Sequence, residues 1–110
     1  MEDVTNLTVV GCSFTHIQFN VLQAGNLRGE VLFDNNIING TGDRVFRFVN
    51  VDDDDLVTIS NNTIISDGDD DGELAKSTNP IEITLNGNTW NDMTDAEAIT
   101  AGKLVNITAK

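Results

Sequence analysis

The chain has 110 residues, enough for one domain, and its 39% apolar and 22% charged residues match a globular protein rather than a disordered one. Eighteen acids against six bases leave a net charge of −12, which argues against a protein that tracks nucleic-acid phosphates or docks on anionic lipid. A single cysteine excludes an internal disulfide framework, no apolar run approaches the roughly 18 residues that span a bilayer, and Met1-Glu2-Asp3 lacks the basic start of a signal peptide.

Four segments align without a gap. They are LTVVGCSF (Leu7 to Phe14), VLFDNNII (Val31 to Ile38), VTISNNTI (Val57 to Ile64) and ITLNGNTW (Ile83 to Trp90). Apolar residues fill the first position (Leu7, Val31, Val57, Ile83) and the third (Val9, Phe33, Ile59, Leu85), the period of two that marks a half-buried strand. The fifth position is Gly11, Asn35, Asn61 and Gly87, residues that accept a left-handed backbone and turn the chain sharply. The sixth is Cys12, Asn36, Asn62 and Asn88, and the eighth is again apolar (Phe14, Ile38, Ile64, Trp90).

Taken in chain order, the first unit continues with an alternation at Ile17, Phe19 and Val21, and the second with Phe46 and Phe48. Length variation falls at Gly40 to Asp43, Asp52 to Asp55 and Asp67 to Asn79. The last of these is expected to be a long polar loop that replaces the second face of the third unit. After the fourth unit, Thr94 to Glu97 reads as a capping box, Asp95 to Ala101 as a short helix with Gly102 behind it, and Leu104 to Thr108 as a final strand. The expected organisation is one domain over residues 1–110, with units beginning near residues 7, 31, 57 and 83 and a cap over residues 91–110. Met1 to Asn6 is too short to cap the other end, so another chain or an earlier part of a longer coil is expected there.

A strand, a sharp bend and a second inward residue, repeated about every 25 residues, describe one turn of a coil. Stacked ~4.8 Å apart, such coils place identical positions above one another. Asn36, Asn62 and Asn88 then form a ladder of side-chain amides, with Cys12 ending it as a small packed hydrophobe. These columns resemble the right-handed parallel β-helix of the pectin-lyase-like superfamily over roughly Leu7 to Trp90. The resemblance implies an all-β solenoid of about four coils with a short C-terminal capping helix. It says little of activity, because this scaffold carries lyases, hydrolases, phage tailspikes, capsid proteins and adhesins.

Among chemical motifs, Asp67, Asp69, Asp71 and Glu73 follow the opening of an EF-hand or dockerin-type calcium loop, so Ca2+ is the candidate cofactor. The closing acid is missing, since Thr78 stands in its place, and a solvated acidic loop is the competing reading. Asp52 to Asp55 is a second acidic run, read as a charged loop that keeps an edge-rich protein soluble. Arg44 and Arg47 are candidate contacts for an anionic ligand, or surface partners of nearby acids. The single histidine, His16, lies outside any Gly-His-Gly element, and Arg-x-Lys is absent, so the catalytic elements of polygalacturonase-like enzymes are not met. No catalytic residue is assigned. Four Asn-x-Thr sequons are unremarkable in a chain with fourteen Asn and twelve Thr.

The expected function is therefore a non-enzymatic structural module in a larger assembly, either a virion component (capsid decoration, cement or tail-associated) or a bacterial surface protein. Its expected partners are proteins or further copies of itself, with no nucleic acid and no membrane insertion, and its expected location is a virion or the cell exterior. The alternative is a carbohydrate-active or carbohydrate-binding module for acidic polysaccharide, with Trp90 as a sugar platform, although Trp90 occupies an inward column.

Overall fold

The computed structural model describes residues 5–17, 22–25, 28–40, 44–49, 56–68 and 72–109. They form an all-β arrangement with one short helix. The first unit supplies β1 (Thr5–Val10), β2 (Ser13–Ile17) and β3 (Leu22–Gly25), and the second supplies β4 (Arg28–Asp34), β5 (Ile37–Gly40) and β6 (Phe46–Val49). The third contributes β7 (Leu56–Ser60), β8 (Thr63–Ser66) and the start of β9 (Ala75–Asn86). The fourth runs through the rest of β9 into β10 (Thr89–Trp90), α1 (Asp95–Thr100) and β11 (Leu104–Ala109).

Every ladder between these strands is parallel and joins equivalent positions of successive units. Val9 pairs with Phe33, Phe33 with Ile59, and Ile59 with Leu85. Phe14, Ile38, Ile64 and Trp90 line up likewise in the four-stranded sheet β10-β8-β5-β2. The larger sheet has the order β1-β4-β7-β9-β6-β3, with β11 also on β9. Parallel strands cannot be joined by tight hairpins, and here the connection back to each partner is a whole unit, 24 residues from Leu7 to Val31, 26 from Val31 to Val57 and 29 from Phe46 to Ala75.

The bends follow the residues that permit them. Gly11, Asn35, Asn61 and Gly87 have φ of 67°, 56°, 55° and 68°, the left-handed region where only Gly, and Asn at lower cost than most residues, sit readily. The core gathers the first, third and eighth columns: Val31, Phe33, Ile38, Val57, Ile59, Ile64, Ile83 and Trp90 are all at most 3% exposed. Phe33, Phe46 and Trp90 meet edge-to-face across it, with ring centroids 5.0 and 6.0 Å apart.

One expectation fails. The stretch Asp67 to Asn79 is not a polar loop throughout, because β9 begins at Ala75 and pairs with β6 at Phe46, Arg47 and Phe48. Leu74, Ala75 and Ser77 are buried, so the third unit has its further face after all. In that ladder Ala75 lies in register with Phe46 and Ser77 with Phe48. The C-terminal helix matches its sequence signature. Glu97 N–H donates to Thr94 Oγ1 (3.2 Å) and Thr94 N–H to Glu97 Oε1 (3.1 Å), closing the capping box.

Candidate functional site

The sixth column forms a continuous chain of side-chain hydrogen bonds. Asn36 Nδ2 donates to Asn62 Oδ1 (3.0 Å), and Asn62 Nδ2 donates to Asn88 Oδ1 (2.9 Å). The same oxygens accept the backbone N–H of Asn36 (2.9 Å) and Asn62 (3.0 Å). Each amide also donates backward: Asn36 to the Val9 carbonyl, Asn62 to that of Phe33 and Asn88 to that of Ile59. Asparagine suits this position because one short amide can accept twice and donate twice at once. All three are buried at 1–3% exposure, where an unmet polar group would be costly.

The two ends of the ladder differ. At the far end Asp95 takes the place of a further asparagine: its carboxylate accepts from Asn88 Nδ2 (3.0 Å), Asn88 N–H (3.3 Å) and the Trp90 indole N–H (2.7 Å). The aligned amides present N–H toward this end, so a carboxylate completes them with complementary charge. No repeat column marks Asp95, which sits outside the aligned segments; its only sequence signal is a place in the first turn of a capped helix. At the near end Cys12 N–H donates to Asn36 Oδ1 (2.8 Å). The Cys12 side chain is exposed rather than packed, because no layer lies over it among the described residues, and its thiol reaches only the Val10 carbonyl (3.5 Å).

The other candidates are dispersed. Arg44 Nε and Nη2 lie 3.0 and 2.9 Å from Glu73 Oε1, both side chains being about four-fifths buried. That pair joins a candidate anion contact to a candidate metal ligand, so each is engaged by the other. Asp67 is exposed, Asp69 and Asp71 lie outside the described residues, and no cluster of three or more metal-ligating side chains occurs among the described residues. The acidic run Asp52 to Asp55 is also outside them. Arg47 is exposed on β6, in register with Lys76 of β9. Trp90 is fully buried and cannot serve as a sugar platform. His16 belongs to β2. An open groove beside α1 is lined by Met93, Ala96, Glu97, Thr100 and Ala101, and its one charged group, Glu97, is held in the capping box.

Among the described residues no helix is long and apolar enough to cross a membrane. In comparison with known proteins, the chain matches no family model, no curated protein and no solved structure.

Proposed function

We propose that the chain is a non-enzymatic structural module, a β-helix of about four coils under a helical lid, that is built into a larger assembly through its first coil. A virion, as a decoration, cement or tail-associated component, or a bacterial surface assembly is the setting this reading implies. One observation carries it. Leu7, Val9 and Phe14 are only partly buried, whereas residues in the same columns of the middle units are at most 3% exposed. Apolar core positions left open at one end of a stack are the face that a further layer would cover.

The test is binding of an apolar dye, such as anilinonaphthalene sulfonate, to the chain at a dilution where it is single. Enhanced fluorescence is expected, reduced by Phe14→Lys at the first coil and unchanged by Ala101→Lys at the lid. A single, folded chain that binds no dye overturns the reading.

A further inference from the structure

We infer that the occupant of the open end is a second copy of this chain, joined edge to edge in a closed two-fold dimer; the inference rests on the assembly reading above and names its partner. Among the described strands, β1, β2 and β3 pair on one side only, with β4, β5 and β6. Edge strands are ordinarily blunted by charge or proline. Here the sequence from Val4 to Leu27 contains no Asp, Glu, Lys, Arg or Pro, although the chain carries −12 overall.

That distribution selects the partner. Two copies meeting through residues 52–73, which hold nine acids and no base, bring like charge together, and through Val4 to Leu27 they do not. Cys12 selects the orientation: it has no amide to accept from or donate to a preceding parallel layer, so the asparagine ladder stops there. A two-fold partner approaches with its strands reversed and has no ladder to continue. At the opposite end the ladder terminates on Asp95 of α1. Strands β10 and β11 also pair on one side only among the described strands, but with Cys12 at one end and Asp95 at the other the ladder cannot continue head to tail, so the association closes at two. An ellipse on any two of the 30, 27 and 25 Å extents encloses roughly 500–650 Å2. The pair then buries ~1,000–1,300 Å2, at the lower end for specific complexes, and should come apart on dilution.

The experiment is light scattering across a concentration series of the intact chain, with circular dichroism to confirm folding of each variant. A plateau at twice 11.9 kDa, returning to the single mass on dilution, is expected. Cys12→Lys places a like charge on both copies at an exposed position with no packing to lose, and should shift the midpoint at least tenfold higher in concentration. Phe14→Lys should do the same, and Ala101→Lys, on the lid, should not. Mass that climbs without a plateau overturns the closed dimer, and a dimer unmoved by both edge variants overturns its location. A single mass at every concentration with dye binding at the edge overturns self-association and leaves the assembly reading standing. A single mass without dye binding overturns both.

Discussion

The two ends of the stack carry the same repeat and bury its first and eighth columns differently, while in the third column Val9 and Leu85 are both partly buried. In the eighth column Phe14 at the first end is half-buried, while Trp90 at the last end is 0% exposed. In the first column Leu7 is half-buried, while Ile83 is 1% exposed. Neither residue type nor strand position explains the contrast, since both pairs are large and apolar at equivalent places. What differs is the next layer: Ala98 of α1 and Leu104 and Ile107 of β11 are buried near the last unit, and nothing described lies over the first. A repeat position prescribes which way a side chain points; a neighbouring layer decides whether it becomes core.

The largest effect should come from removing volume where both neighbours are present. Ile64→Ala, between Ile38 and Trp90 in its column, is expected to cost about 3–5 kcal/mol. Phe14→Ala should cost less than half of that in the single chain, despite removing a larger side chain. Denaturant titration of both variants at low concentration checks the ordering, and equal losses would erase the distinction between the ends.

The ladder sharpens the same comparison. Asn62→Leu strands the Asn36 amide, the Asn36 N–H and the Phe33 carbonyl in the core, and should cost about 2–4 kcal/mol. Cys12→Ser keeps the only ladder bond Cys12 makes, its backbone N–H, and should change the melting temperature by less than 2 °C, on the order of a few tenths of a kcal/mol. A comparable loss in both variants would remove the ladder as a source of stability.

Much of this was legible because the repeat writes each constraint four times. A left-handed bend tolerates few residues, so Gly11, Asn35, Asn61 and Gly87 announce it, and a buried amide needs partners at the same height, so Asn36, Asn62 and Asn88 announce one another. The start of β9 was not legible, because its inward positions are Ala75 and Ser77, small residues that write no apolar period into the sequence. Asp95 was hidden for a related reason. It serves the ladder from a helix, seven residues after Asn88, and so stands outside the column it completes.

A smaller effect separates two glycines of one column. Ala at either Gly11 or Gly87 must adopt a left-handed backbone, about 1–2 kcal/mol. At Gly11 the added Cβ meets nothing within 4 Å, whereas at Gly87 it comes within 2.6 Å of Asn61 Oδ1. Gly87→Ala should therefore be the more destabilising by roughly 0.5–1 kcal/mol, since the Asn61 side chain has to move. Thermal melts of the two variants side by side measure the difference, and equal melts would mean that Asn61 yields freely.

The smallest effect is read through pH, one layer in from the open end. Asp34 accepts from the Ser60 hydroxyl (2.7 Å) and from Asn61 Nδ2 (3.1 Å), and these bonds, the Ser60 one foremost, hold its carboxyl below the ordinary value of 3.8. Because the folded state favours the anion, the contribution is complete above the unfolded value and is lost as pH falls through the folded one. Asp34→Asn should melt slightly below the wild type near neutral pH, and the gap should close as the buffer is taken into the acid range. Gly87→Ala, by displacing Asn61, should narrow the same gap by loosening the weaker of the two bonds. Melting curves that stay parallel from neutral to acid pH would show that Asp34 gains nothing from its neighbours, and that this surface column, unlike the asparagine column beneath it, does not couple one layer to the next.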